Sequence, residues 1–316
     1  MRQLLMLLCL GMVLSTGVQL RVLGQVKPLG DTTHRALDIK KIEQITGFKG
    51  VEKNGEYKIT VPQNDLHVLV DGFKIIPPMG LGSWANFTAT PHGVMVMGDI
   101  ILTETDLQPV QKEVIALGMT ITAIHNHFIR NHPNIIYMHI DGAGDLETMA
   151  RNVKAVFDKV AAVRGGDPKA SPKDSVVNTL SMASLDAIIG AKGELQQGVY
   201  KYTIGRPDVK LTEHGAPVST FGGFNTWVAW QGTEEKAAVC GDFTMLANEV
   251  APVIKALVEN NIEVVAVHNH MVLEEPKIFF LHYWGVGAAT QLARGIKAAL
   301  NQTGKGNVST PMKMQH

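Results

Sequence analysis

The sequence repeats itself at a fixed separation of 143 residues, and this repeat most constrains how the chain can fold. His125-Asn126-His127 recurs as His268-Asn269-His270, and Gly98-Asp99 recurs as Gly241-Asp242. From Gly98 and Gly241 onward, 18 of 60 ungapped positions are identical, whereas average composition gives about one in fifteen by chance. Because the unit is much longer than a solenoid repeat, the sequence predicts a duplicated domain.

The N-terminal residues differ from the rest of the chain. Arg2 is followed by an apolar run and then by small and polar residues, which is the order of a secretory signal peptide. The run is shorter than the roughly 20 apolar residues of a spanning helix, although an uncleaved N-terminal anchor is an alternative. We expect a periplasmic or secreted protein with no stable membrane insertion after signal removal. The predicted parts are a signal peptide at 1–24, a first repeat unit at 25–163, a linker at 164–179, a second repeat unit at 180–300 and a flexible tail at 301–316.

Charge and cysteine content argue against a nucleic-acid-binding protein and against a fold held by an internal disulfide. Lys and Arg number 29 and Asp and Glu also number 29, so no positive excess is available for counterion release, and we expect no nucleic-acid partner. The string His-Asn-His is therefore not taken as a nuclease signature. Cys9 lies in the predicted signal peptide, and Cys240 aligns with Met97, which predicts a core residue and no internal disulfide.

The hydrophobic periodicity of each unit predicts a strand, a helix, two strands and a second helix. This order favours an α+β fold, with two homologous units in tandem and each a mainly antiparallel sheet covered by helices. In the first unit the predicted strands are 57–61, 93–97, 119–129 and 135–140, and the predicted helices are 105–117 and 145–157. In the second unit the predicted helices are 248–259 and 287–300, and the predicted strands are 262–272 and 277–283, with a further strand near Val239.

Six of the twelve histidines fall in the matched segments. Alternation along a strand places His125 and His127 on one face, and an antiparallel turn near residue 132 would place His139 opposite His125. Three convergent imidazoles suit a divalent transition metal, with Zn²⁺ preferred, and leave a position open for water or substrate. A buried hydrogen-bonded network and ligand binding without metal are the alternatives. The predicted metal ligands are His125, His127, His139, His268, His270 and His282.

Asp99 and Asp242 are matched acids that follow a glycine at the end of a strand. We predict that they are catalytic, acting as general bases, while roles as fourth ligands, as partners of an imidazole or as turn residues remain open.

Two further matched pairs are predicted to bind ligand. Trp84 and Trp227 follow glycine-rich segments and could stack on a ligand, although packing in the core is the commoner role of Trp. Arg151 and Arg294 could bind an anionic group, and an ion pair within each unit is the alternative.

The duplicated pattern of strand, His-Asn-His, Pro, His and Gly-x-Gly resembles the LppY/LpqO-like family of exported bacterial proteins. The similarity covers residues 36–300, and Gly98-Asp99, His125-Asn126-His127 and His139 carry it together with their partners in the second unit. That family is described as a domain of unknown function with lipoprotein members, so the resemblance implies a location in the bacterial envelope or outside the cell. Cys9 departs from the lipoprotein pattern.

These observations predict an exported metal-binding protein and, more specifically, a metal-dependent hydrolase with a histidine-rich site in each repeat. The alternative is a non-catalytic envelope module that binds glycan or peptide through its Trp and glycine-rich segments. A third interpretation gives the histidines only a structural role in the core. The ligand is expected to be a small molecule or a component of the cell envelope, of unknown identity.

Overall fold

The computed structural model describes residues 36–166 and 174–304. The predicted signal peptide lies outside the described residues, as do part of the predicted linker and most of the predicted tail. Among the described residues, no helix is both long and apolar enough to cross a lipid bilayer.

The two repeat units contain the same series of main elements, displaced by 143 residues. The first repeat comprises α1 (Ile39–Thr46), β1 (Gly50–Lys53), β2 (Glu56–Pro62), β3 (Leu69–Val70), β4 (Phe73–Lys74), β5 (Gly82–Thr90), β6 (Gly93–Thr103), α2 (Glu104–Ala116), β7 (Thr120–His125), β8 (Asn131–His132), β9 (Ile135–Gly144) and α3 (Leu146–Arg164). The second comprises α4 (Met182–Ile189), β10 (Glu194–Gln196), β11 (Val199–Gly205), β12 (Thr212–Glu213), β13 (Ala216–Pro217), β14 (Asn225–Gly232), β15 (Ala237–Leu246), α5 (Val250–Glu259), β16 (Glu263–His268), β17 (Ile278–Gly287) and α6 (Ala289–Leu300).

Each repeat builds one six-stranded antiparallel sheet. The strand order is β1-β2-β5-β6-β9-β7 in the first repeat and β10-β11-β14-β15-β17-β16 in the second. Every pairing within these sheets is antiparallel. The predicted α+β class, with two tandem units that each have an antiparallel sheet packed against helices, is confirmed.

One face of each sheet is covered by the helices of its own repeat. Ile59, Ala85 and Phe87 point to that face in the first repeat and pack with residues of α2 and α3. Tyr202, Val228 and Trp230 occupy the same positions in the second repeat. Alternation along the strands therefore directs the intervening residues, including the predicted site residues that lie on these strands, to the opposite face.

The opposite faces of the two sheets meet each other. Tyr137 of the first repeat packs in one apolar cluster with Cys240 and Trp284 of the second. A further cluster joins Met97 of the first repeat to Phe280 of the second. The molecule is thus layered as helices, sheet, sheet and helices, and Cys240 lies in the core as its alignment with Met97 indicated.

Local differences from the predicted elements have identifiable causes. Helix α2 begins after Thr103, whose backbone N–H donates a hydrogen bond of 2.9 Å to Oδ2 of Asp106 in the first turn. Helix α3 continues seven residues beyond its predicted end at Phe157, to Arg164. The Arg164 guanidinium binds the buried carboxylate of Asp106 and the carbonyl of Ile101, and these contacts hold the last turn against the sheet.

We expect Phe87→Ala to lower the free energy of unfolding by about 3–5 kcal/mol, because it leaves a cavity beneath the helices of the first repeat. Phe87 is completely buried, whereas Val51, on an edge strand, is 61% exposed. Urea unfolding measures the change, and Val51→Ala should shift stability by less than about 0.5 kcal/mol. Equal effects of the two substitutions would contradict the assignment of this face to the core.

Candidate functional site

Strand pairing lines up one residue from each of four neighbouring strands across the inner face of each sheet. Residues directly opposite each other in paired strands share a face. In the first repeat this row is Thr60, Trp84, Asp99 and His139. In the second repeat it is Thr203, Trp227, Asp242 and His282.

The six predicted histidine ligands form one cluster rather than one site per repeat. Each ring contacts a ring of the other repeat, and the contacts are reciprocal, as expected for two units related by a pseudo-twofold axis. The ring centroids are 3.9 Å apart for His125 and His268, 3.7 Å for His127 and His282, and 4.2 Å for His139 and His270.

The structure corrects the predicted local geometry of these histidines. Strand β7 ends at His125, so His127 lies in the following loop and not on the strand. The hairpin closes one residue earlier than predicted, so that His125 pairs with Tyr137 and Ala123 pairs with His139. His139 is therefore displaced by two residues from His125, which leaves both on one face because the side-chain period of a strand is two.

Two of the imidazoles are oriented by backbone carbonyl groups. Nδ1 of His139 lies 3.2 Å from the carbonyl oxygen of Gly98, and Nδ1 of His282 lies 3.0 Å from that of Gly241. A proton on each Nδ1 makes it the donor to that carbonyl and leaves the lone pair of Nε2 directed into the cluster. Metal-binding histidines are commonly oriented in this way.

Many polar atoms of the cluster are buried and have no hydrogen-bond partner within residues 36–166 and 174–304. They include both ring nitrogens of His125 and His127, Nε2 of His139, His268 and His282, and Oδ1 of Asp99. Such atoms are uncommon in folded proteins, because each loses its hydration without compensation.

Three sets of potential ligand atoms lie within 4.8 Å of one another in this cluster. They are His125 with His139 and His268, His125 with His127 and His282, and Asp242 with His268 and His270. The buried histidine cluster could therefore hold a metal ion.

Burial keeps the imidazoles neutral. It lowers the pKa of His139 to about 4 and that of His282 to about 3. Burial, reinforced by repulsion between neighbouring imidazolium charges, also holds the pKa values of the other four rings well below their ordinary value. Neutral imidazole is the form that binds metal.

The two matched carboxyl groups border this cluster. Oδ2 of Asp99 lies 3.6 Å from Nε2 of His127, and Oδ2 of Asp242 lies 3.2 Å from Nε2 of His270. Burial raises the pKa of Asp99 to about 8 and holds that of Asp242 well above its ordinary value. Both groups are thus placed to exchange protons near the imidazoles.

A polar pocket of about 810 Å³ opens onto the cluster. Its walls come from both repeats and include Trp84 and Trp227, as well as two matched lysines that the sequence interpretation missed. Nζ of Lys58 lies 4.1 Å from the ring centroid of Trp84, and Nζ of Lys201 lies 4.3 Å from that of Trp227. Burial lowers the pKa of each lysine to about 8. Their identity across the 143-residue separation was the available signal.

Two matched glycines allow the repeats to approach each other at this pocket. Gly80 has φ +100°, and a Cβ there would lie 3.0 Å from Nδ1 of His127 and 3.4 Å from the ring of Trp227. Gly223 has φ +119°, and a Cβ there would lie 3.4 Å from the ring of Trp84. A side chain at either position would crowd the site and strain the backbone.

The structure does not bring Arg151 and Arg294 to the pocket. Both lie on exposed faces of the outer helices, and Nη1 of Arg151 is 3.3 Å from Oε2 of Glu147 one turn earlier. This contact is the ion pair within the unit that was the alternative for Arg151.

Comparison with protein families gives two matches within the chain. Residues 40–159 and residues 183–302 each match the family described as Domain of Unknown Function (DUF1259). The chain belongs to this family. Both DUF1259 segments contain the histidines of the cluster, and their tandem arrangement confirms the internal repeat.

Similarity to other proteins adds little to the DUF1259 assignment. None of the curated proteins is significantly similar to the chain in sequence. A trimeric bacterial microcompartment shell protein, PduB, is 11% identical over 81% of this chain and 92% of its own, with a TM-score of 0.20. EtuB from Clostridium kluyveri is 8% identical over 81% of this chain and 90% of its own, also with a TM-score of 0.20. Structural similarity at this level does not inform the fold or the function.

We expect the metal-free protein to lose stability as the pH is lowered from 6.5 toward 4. Unfolding restores the ordinary imidazole pKa of 6.5, so the unfolded state takes up protons that the folded state does not, and acid favours unfolding. Asp99, Asp242, Asp141 and Glu213 act in the opposite direction, because their raised pKa values make the folded state bind more protons. The six imidazoles outnumber them, and urea unfolding at a series of pH values measures the net slope.

The double substitution of His139 and His282 by Asn should reduce this slope, because it removes two of the titrating groups. A slope equal to that of the wild type in this variant would contradict the burial of these two rings in the folded protein.

Proposed function

We propose that this protein is an exported metal-dependent hydrolase that binds one or more divalent transition metal ions, with Zn²⁺ preferred, in the histidine cluster shared by its two repeats. The observation that carries the proposal is the convergence of buried imidazole nitrogens that have no hydrogen-bond partner. A metal ion is the partner that satisfies several such nitrogens at once.

The alternative of a purely structural polar network is less well supported. Such a network would require the imidazoles to donate and accept hydrogen bonds among themselves. Instead, the rings of His125 and His268 stack at 3.9 Å with an interplanar angle of 11°, and both nitrogens of His125 remain without a partner. Stacked neutral rings gain little from each other in compensation for the hydration they lose.

The chemistry of a hydrolase is compatible with the groups around the cluster. A divalent cation held there would supply a Lewis acid and lower the pKa of water toward about 7. Asp99 and Asp242 border the imidazoles with raised pKa values, so each can hold or release a proton near neutral pH. The pocket admits a small-molecule substrate to the same groups.

The lysines indicate the charge of the substrate. Neither Lys58 nor Lys201 forms an ion pair or hydrogen bond with a carboxylate among the described residues, although the charges of Glu56 and Asp99 act on Lys58. Two partly buried ammonium groups beside a cation-binding cluster would repel the bound cation unless an anion lay between the cation and the lysines. We therefore propose a substrate that carries a phosphate or carboxylate group.

The proposed location outside the cytoplasm rests on the sequence of residues 1–24 and on the resemblance to exported proteins. The alternative of a glycan- or peptide-binding module rests on Trp84 and Trp227, which do line the pocket. Each indole ring, however, has a lysine ammonium over one face. This arrangement favours recognition of an anion over stacking on a sugar ring.

We expect His127→Ala and His270→Ala to retain less zinc than the wild-type protein, because each removes one ring of the shared cluster. The measurement is zinc content by atomic emission after loading and desalting, with circular dichroism to check folding. His92→Ala is the control, because His92 is exposed and lies outside the cluster. Equal zinc content in the wild type and in both cluster variants would contradict the proposal.

We expect Lys58→Gln and Lys201→Gln to raise KM for p-nitrophenyl phosphate by about ten- to a hundredfold, the loss of one charge-assisted hydrogen bond. Hydrolysis of uncharged p-nitrophenyl acetate should change much less, because it offers no anion to the lysines. The control is Lys255→Gln, since the side chain of Lys255 is 73% exposed. Equal losses on both substrates would assign the lysines a structural role.

A further inference from the structure

A second group of metal-ligating side chains lies outside the histidine cluster and joins the two repeats. Asp141 is on β9 of the first repeat, while Glu213 and His214 belong to the β12–β13 hairpin of the second. Their ligand atoms lie within 4.8 Å of one another. The hairpin reaches Asp141 because neighbouring Leu211 and Ala216 pack with Met95 of the first repeat in one apolar cluster.

The two carboxylates of this group are buried without a permanent cation. Asp141 is 2% exposed and Glu213 is 1% exposed, and among the described residues neither forms an ion pair with a lysine or an arginine. Nε2 of His214 lies 2.7 Å from Oδ2 of Asp141 and 3.9 Å from Oε1 of Glu213. Oδ1 of Asp141 and Oε2 of Glu213 have no hydrogen-bond partner in the described part of the chain. Buried carboxylates with unsatisfied oxygens are costly unless a cation is bound.

The pseudo-twofold axis provides an internal comparison. The residues equivalent to Asp141 and His214 are Trp284 and Asp71, and these two are also in contact, through a hydrogen bond of 2.9 Å from Nε1 of Trp284 to Oδ2 of Asp71. Asp71 and His214 share the same left-handed backbone, with φ +49° and +48°. The same junction is therefore built twice, with different chemistry.

At the Asp71 junction the negative charge is neutralised within the protein. The guanidinium of Arg130 donates two hydrogen bonds to Asp71, at 3.0 and 3.1 Å, and also binds Glu263. At the other junction the position equivalent to Arg130 is Leu273, whose backbone N–H donates to Oε1 of Glu213 at 3.3 Å. One junction thus contains its own cation, whereas the other, within the described part of the chain, has two carboxylates, an imidazole and no arginine.

We propose that Asp141, Glu213 and His214 bind a second divalent cation of the zinc class, which takes the place that Arg130 occupies at the equivalent junction. Two carboxylate oxygens and one imidazole nitrogen are an ordinary ligand set for Zn²⁺. Tetrahedral zinc with bonds of about 2.0–2.1 Å separates its ligand atoms by roughly 3.3 Å. The distances of 2.7 and 3.9 Å from Nε2 of His214 lie on either side of this value. The ion would connect the β12–β13 hairpin of the second repeat to the sheet of the first repeat.

The test is the zinc content of full-length variants after loading and desalting. Glu213→Gln keeps the shape of the side chain and should lose one equivalent of zinc relative to the wild type. Asp71→Asn is the matched control at the equivalent junction, and it should retain the wild-type amount. In a His127→Ala/His270→Ala background, adding Glu213→Gln should remove a further equivalent, so that failure of the shared histidine cluster and failure of this second site give different results.

Folding is checked by circular dichroism. If Glu213→Gln does not fold, His214→Ala decides the question, because His214 is a turn residue whose side chain is 22% exposed. Loss of one equivalent in a folded variant supports the second site. Wild-type zinc content in the folded Glu213→Gln or His214→Ala protein overturns it and leaves an Asp–His ion pair.

Discussion

The packing of the two sheets against each other is the constraint on which the rest of the structure depends. Each sheet directs an apolar face to its own helices. The strand residues that alternate with the helix-facing ones must therefore face the other repeat. Histidines His125 and His268 therefore stack across the pseudo-twofold axis. A single repeat would leave its own three imidazoles exposed to water, so the candidate site exists only because the duplicated units pack face to face.

The sequence carried enough information to predict the repeat, the fold class and the identity of the clustered histidines. The repeat was visible as identity at a fixed separation, and the predicted antiparallel pairing placed His125 and His139 on one face. The sequence did not reveal that the histidines of the two repeats form one cluster, because packing between the repeats depends on apolar contacts such as that of Phe128 with Trp284. The hairpin register also differed by one residue at its turn, which a hydrophobic pattern does not determine.

The pairs of residues that the repeats share are distributed unevenly over the structure. Around the pocket the histidines, the acids Asp99 and Asp242, and the lysines Lys58 and Lys201 are identical in both repeats. Each matched pair therefore supplies two side chains to one site, one from each repeat, and a substitution in one repeat would remove one of the two. A lysine on a strand is ordinarily a solvated residue, so Lys58 is identified as a pocket residue only by its match to Lys201 and by its position over the ring of Trp84.

Away from the pocket the two repeats have diverged while keeping the same backbone. The junctions at Asp71 and His214 have the same turn conformation and contact equivalent strands, but one pairs an aspartate with arginine and the other gathers Asp141 and Glu213 around an imidazole. Each junction must still balance the charge that it buries, because an uncompensated carboxylate in the interior would cost several kcal/mol. Duplication therefore gave both junctions the same backbone geometry, and the charged side chains at each junction determine which cation can balance them.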